Sequence, residues 1–159
     1  MRTFLRIITL GTVLATLGII HLTAQAADPL VGTWELSIAK STYNPGPAPK
    51  SETRTYVVAG QEIQATSKGV GADGTPTSGQ WTVNYDEKDR PLAGSPVADT
   101  LSLKRIDAFT AEFTQKKAGK VVATGTRVIS KDGKVMTITT EGTNAKGQAF
   151  KDVEVFDKR

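Results

Sequence analysis

Beyond residue 27, apolar and polar residues alternate along most of the chain, the period-two pattern of strands buried on one face. Residues 32–38 begin it, with Trp34, Leu36 and Ile38 on one side. Residues 52–59 and 61–68 read as a hairpin turning at Ala59-Gly60, and residues 80–86 put Trp81, Val83 and Tyr85 together. The pattern resumes at residues 100–106, where Leu101 and Leu103 share a face, and at 109–116, with Phe109, Ala111 and Phe113. Residues 120–130 form a long strand containing Gly125, read as a bulge position. Lys131-Asp132-Gly133-Lys134 is the strongest hairpin signal, since Asp-Gly favours a type I′ turn. Residues 135–141 and 148–157 complete nine predicted strands, and no helical period follows the leader. An all-β fold follows. Short strands joined by hairpins most economically form an antiparallel up-and-down sheet, and closure into a β-barrel removes its edges.

The chain also repeats itself. Thr53, Arg54, Gly60, Gly69, Ala72 and Gly74 recur as Thr126, Arg127, Gly133, Gly142, Ala145 and Gly147, every pair 73 residues apart. The first copy closes on Tyr85-Asp86 and the second on Phe156-Asp157. Such a period predicts a domain built of two related halves.

The first residues differ from the rest. Arg2 and Arg6 precede the uncharged, mostly apolar residues 7–20, and Ala24-Gln25-Ala26 supplies small residues at a cleavage position. This is the layout of a signal peptide over residues 1–26, leaving a barrel domain over 27–159. The apolar run is shorter than the roughly 20 residues of a spanning helix, so no stable membrane insertion is expected after cleavage. The expected location is periplasmic or secreted.

Composition then narrows the chemistry. Losing Arg2 and Arg6 lowers the formal charge from +4 to +2, and Lys and Arg are scattered among Asp and Glu. That gives no footprint for nucleic acid. The chain has no Cys, and its one His, His21, lies in the leader. Ser-His-Asp and Cys-His catalysis, His- or Cys-ligated zinc and His-ligated haem are therefore excluded within one mature chain. No enzyme, cofactor or metal site is expected. Nothing in the sequence reads out an oligomeric state.

Three motifs fail on context. Gly69-Val70-Gly71-Ala72-Asp73-Gly74 fits G-x-G-x-x-G, but a dinucleotide site needs a helix next, and Thr75-Pro76-Thr77-Ser78-Gly79 cannot supply one. Ser37-Ile38-Ala39-Lys40 fits S-x-x-K, but residues three apart on a strand face opposite ways and Lys-Thr-Gly is missing. Asp86-Glu87-Lys88-Asp89 gathers acids without the alternating oxygens, glycine and terminal Glu of a calcium loop.

Gly32-Thr33-Trp34, soon after an export signal, resembles the first-strand Gly-x-Trp of the lipocalin or wider calycin barrels. Ala39-Lys40-Ser41, the run from Pro45 to Lys50, the run from Ala98 to Asp107 and Ser130-Lys131-Asp132-Gly133-Lys134 resemble a group of uncharacterised exported bacterial lipocalin-like domains. The resemblance implies a barrel for small apolar molecules in which Trp34 closes one end beneath an Arg, supplied by Arg127 or Arg159. Thr-Asp-Tyr and a C-terminal helix, both features of true lipocalins, are missing.

Arg54 and Arg127 occupy matching places in the repeat. Arg54 shares its face with Tyr56 and Val58, and Arg127 shares its own with Val121, Ala123 and Ile129. An Arg on an apolar face must be paired or reach water. Three readings stay open: the pair points inward and grips the acid group of a bound molecule, each Arg pairs with a buried carboxylate for structural reasons, or the faces that carry them point outward. The ligand-binding candidates are Arg54, Tyr56, Trp81 and Arg127. The expected function is an exported barrel for a small apolar or acidic ligand; the alternative is a structural or interaction module with a filled interior.

Overall fold

The computed structural model describes residues 28–144 and 146–159. The leader, its cleavage site and Ala145 lie outside the described residues. Eleven strands form one antiparallel sheet: β1 (Gly32–Leu36), β2 (Thr42–Asn44), β3 (Ser51–Ala59), β4 (Glu62–Val70), β5 (Pro76–Val83), β6 (Arg90–Ala93), β7 (Thr100–Arg105), β8 (Thr110–Lys117), β9 (Lys120–Ile129), β10 (Val135–Thr143) and β11 (Ala149–Lys158). From β3 to β11 each strand pairs with the next, and β1 pairs with both β3 and β11. Ten strands therefore close an up-and-down barrel. Among the described residues no helix is long and apolar enough to cross a membrane.

The eleventh strand explains a weak place in the wall. β1 covers β11 only at Phe156–Lys158 by register, and β2 takes over beside Lys151, Asp152 and Val153. Between them the chain makes a 3-10 turn, Ile38–Lys40. Ser37 N donates to Val155 O, and Val155 N donates to Ser41 Oγ, so β11 stays hydrogen-bonded across the break. The first predicted strand is thus two residues too long: β1 stops at Leu36, and Ile38 lies exposed in the turn. In that turn the Lys40 ammonium goes to the Asp157 carboxylate at 2.8 Å. β2 pairs with β11 and not with β3, leaving a seam without backbone hydrogen bonds.

The predicted nine strands fall short by two. β2 and β6 are three and four residues long and sit in stretches with several Pro residues, where no strand is predicted. Neither has enough residues to show alternation. Pro91, opposite Thr100, and Leu92, opposite Trp81, hold β6 between longer neighbours.

The repeat is visible in the register. Ile63 pairs with Val83 and Val70 with Pro76; 73 residues on, Met136 pairs with Phe156 and Thr143 with Ala149. The connecting turns match bond for bond. Gly71 N donates to Thr75 O and Gly74 N to Gly71 O, as Asn144 N does to Gln148 O and Gly147 N to Asn144 O. The halves part company at the preceding hairpin. β3 and β4 join across Gly60-Gln61, whereas β9 and β10 join through a longer loop after Ile129. There Gly133 N bonds Ser130 O, and Gly133 has φ +69° while Asp132 keeps an ordinary φ. The turn is therefore type I closed by a left-handed glycine, not the type I′ expected.

Gly125 is not a bulge either. The irregularity lies between Gln115 and Lys116, while Gly125 sits directly opposite Phe113. A Cβ at Gly125 would occupy the place of the Phe113 ring. The missing side chain lets that ring lie across the strand, a cross-strand aromatic–glycine pair.

Strand direction sorts the connections into two ends. The loops at 45–50, 71–75 and 94–99 lie at one end, which we call the mouth. The turns at 60–61, 84–89 and 130–134 lie at the other, together with residues 28–31. That second end is packed shut. Leu30, Trp34, Met136 and Phe156 have no solvent exposure, and Val83 and Ile129 pack into the same core. The Trp34 indole N–H donates to Leu30 O at 2.8 Å.

Candidate functional site

Inward positions nearer the mouth carry smaller or polar side chains, and the interior opens into a cavity of about 360 Å3. Its apolar lining includes Tyr56, Trp81, Leu101, Leu103 and Ile138, and Pro49, Gly71 and Gly94 border it at the mouth. All four sequence-predicted residues, Arg54, Tyr56, Trp81 and Arg127, line it.

Tyr56 and Trp81 meet because of the residue between them. Tyr56 pairs with Ala65 and Ala65 with Trp81, so the two aromatics flank a methyl in one row of the wall. Their rings make an edge-to-face contact, centroids 5.9 Å apart at 81°. The hydrogen-bond ladder of β3, β4 and β5 fixes this aromatic wall.

The two arginines match in place and differ in charge balance. Arg54 Nε donates to Glu52 Oε1 at 2.6 Å, and its Nη2 to Glu154 Oε2 at 3.0 Å. Its guanidinium also stacks 4.6 Å from the Phe156 ring centre. Burial opposes the charge on Arg54, but the two carboxylates outweigh it and hold the guanidinium firmly protonated. The group sits beside the seam, reaching from β3 to β11 where β1 has ended, so ion pairs bridge the wall that backbone bonds leave open. Burial pushes the Glu154 carboxyl above the usual carboxylate range, with Arg54 pulling the other way. Tyr43 donates to Glu154 Oε1 at 3.4 Å, and burial and that acid raise the phenol pKa.

Arg127 has no such partners. It is 6 % exposed, and its Nη2 donates to the Tyr85 hydroxyl at 2.6 Å. Its Nε has no hydrogen-bond partner, and it makes no salt bridge among the described residues. Tyr85 is in turn covered by Arg105, 3.8 Å from its ring centre, and Arg105 is ion-paired to Asp28. Burial raises the Tyr85 pKa, with the Arg127 charge opposing it. A cation almost wholly removed from water and bonded to one neutral hydroxyl is costly unless something else completes it.

The neighbours assigned to the arginines by parity hold only in part. Ala123 and Ile129 are buried with Arg127, whereas Val121 is 58 % exposed, beyond the irregularity at Gln115/Lys116. Tyr56 is buried beside a half-buried Arg54, but Val58, at the end of β3, is exposed. The sequence reading missed Glu52 and Glu154, isolated acids on different strands. Neither Arg127 nor Arg159 covers Trp34. Lys158 does, 4.9 Å from the ring centre, while Arg159 pairs with Glu35 on the surface.

Two of the three acids of the 86–89 loop are paired with cations: Asp86 with Arg90 at 2.9 Å and Asp89 with Lys116 at 2.7 Å. Among the described residues no group of three or more His, Cys, Asp or Glu is placed to hold a metal ion. The G-x-G-x-x-G glycines lie in β4 and its turn into β5, between two strands.

No protein-family model and no curated protein matches the chain. Among solved structures it is similar to a redesigned β-barrel, mFAP1, bound to DFHBI. That alignment has 17% sequence identity and a TM-score of 0.45, covering 84% of this chain and 98% of that one.

Proposed function

We propose that the protein is an exported, lipocalin-like barrel that binds a small, largely apolar molecule bearing an acid group. The observation that carries this reading is Arg127: a buried guanidinium on the cavity wall, with no carboxylate partner among the described residues and its Nε unbonded. A ligand carboxylate would supply the missing charge, and a charge-assisted hydrogen bond in a sheltered site is stronger than one in water. Tyr56, Trp81, Leu103 and Ile138 supply the apolar walls. The reading of the barrel as a filled structural module has less support, because the mouth half of the interior is open. Export rests on the charged start, apolar run and Ala24-Gln25-Ala26 of the leader. N-terminal sequencing of material from the cell envelope is expected to begin at Ala27.

The test of the site is a panel of fatty acids and their uncharged alcohol analogues, titrated against wild type and Arg127→Met. Wild type should favour the acids, and the substitution should remove that preference, lowering acid affinity about ten- to a hundredfold. Equal binding of acids and alcohols by both proteins, or no binding by either, would discard the proposal.

A further inference from the structure

Four charged side chains line the cavity: Glu52, Arg54, Arg127 and Glu154. Their formal charges cancel overall but not locally. Arg54 is shared between two carboxylates, so with both ionised that cluster carries one negative charge in excess. Arg127 carries one positive charge with no acid paired to it among the described residues. The register places the two imbalances in one row of the wall. Arg127 lies opposite Ile138 on β10, and Ile138 lies opposite Glu154 on β11. Neighbouring strands are about 4.8 Å apart, so the backbones bearing these charges are separated by about 10 Å, with an apolar side chain between.

A simple monoanion would satisfy Arg127 and leave the acidic cluster as it was. It would also bring one net negative charge into a sheltered interior, where charge is expensive. A guest carrying both signs brings none. Glu154 needs such a partner, since burial already disfavours its ionised form and Arg54 must also serve Glu52. The ammonium and carboxylate of an α-amino acid are bonded to one carbon, a span much shorter than two strand spacings.

We propose that the preferred guest is a zwitterion with an apolar middle, its carboxylate on Arg127, its ammonium at Glu52 and Glu154, and its hydrocarbon stem over Ile138. The ω-amino acids are the simplest members of this class. The inference rests on the small-molecule reading above and refines it, adding a second charged subsite to the first.

The probes that separate the two are 8-aminooctanoate, octanoate and octylamine, titrated by calorimetry near neutral pH. Wild type should bind 8-aminooctanoate about tenfold more tightly than octanoate, the size of one charge-assisted contact. Octylamine, lacking the acid for Arg127, should bind more weakly than the zwitterion. Glu154→Gln and Glu52→Gln, both near-isosteric, should each reduce the preference for 8-aminooctanoate over octanoate, and circular dichroism identifies which variants are folded. Octanoate binding wild type as well as or better than 8-aminooctanoate would overturn the zwitterion while leaving the acid site standing. Binding of none of the three would overturn both.

Discussion

Lys158 lies with its ammonium 4.9 Å from the centre of the Trp34 indole, and the two are register partners across β11 and β1. The same Lys158 donates to Pro29 O at 3.0 Å, tying the segment before β1 over the closed end. Gly32 makes this path available. Its φ is +134°, and a Cβ there would lie 2.7 Å from Lys158 Cε. The glycine of Gly-Thr-Trp thus serves the lysine that covers the tryptophan.

A graded series of losses follows. Trp34→Ala should cost about 3–5 kcal/mol, because a fully buried ring leaves a large cavity. Lys158→Met should cost about 0.5–2 kcal/mol, retaining most of the apolar stem while losing the cation–π contact and the bond to Pro29. Gly32→Ala should also destabilise, through its backbone conformation and the displaced lysine. Urea denaturation at fixed pH measures all three. A Trp34→Ala loss under about 1 kcal/mol would contradict the packing of the closed end.

The internal repeat makes its own demand. Gly69 and Gly142 are equivalent positions, and a Cβ on each would strike a backbone carbonyl of the neighbouring strand, Ser51 O or Val122 O. Gly69→Ala and Gly142→Ala should therefore destabilise to similar extents, of order 1–3 kcal/mol by overpacking. Thermal unfolding of the pair checks it. A harmless substitution at either site would mean that the two glycines, though equivalent in the repeat, are not under the same constraint.

What the sequence made legible follows from what alternation and turn residues encode. Long strands with one buried face stand out, and with them came the closed barrel and the two halves. Strands β2 and β6 stayed hidden because three or four residues cannot display a period, and their partners lie far away in the chain. Alternation told only some of the residues that accompany Arg54 and Arg127, and not which face is inside. Glu154 and Lys158 were invisible as partners for a related reason: a lone acid and a penultimate lysine look like surface charges until β11 is placed beside β1 and within reach of β3. The difference between the two arginines is thus a property of the closed barrel and of no local stretch.

Arg127 should trade stability for binding. Without ligand it is a desolvated cation with one neutral partner, so Arg127→Met removes a penalty along with one hydrogen bond to Tyr85. The ligand-free variant should be as stable as wild type to within about 1 kcal/mol, or more stable. A structural arginine in a satisfied buried pair would instead cost about 3–5 kcal/mol when removed. Chemical denaturation of ligand-free protein tells the two apart, and a loss of the larger size would assign Arg127 to the scaffold.

Arg54 should behave in the opposite way, and pH exposes the reason. Arg54→Met leaves Glu52 and Glu154 facing each other across the seam without a counter-ion, at a cost of about 3–5 kcal/mol near neutral pH. Burial raises the Glu154 pKa in the folded state, so that state holds the proton more tightly than the unfolded chain does. The stabilisation this gives is fully present below the ordinary carboxylate pKa and is lost as pH rises through the raised value. Asp152, also raised by burial, acts in the same sense, while Asp86 and Asp132, lowered by hydrogen bonds, act in the reverse sense. Subtracting the stability of Glu154→Gln from that of wild type across the acidic range isolates the one carboxyl. The difference should fall as pH increases through the window above the ordinary Glu pKa, because the glutamine cannot ionise. In Arg54→Met the fall should be steeper, since the opposing cation has gone. A difference that is flat, or that climbs with pH, would mean that Arg54 outweighs burial and holds Glu154 ionised in the folded state.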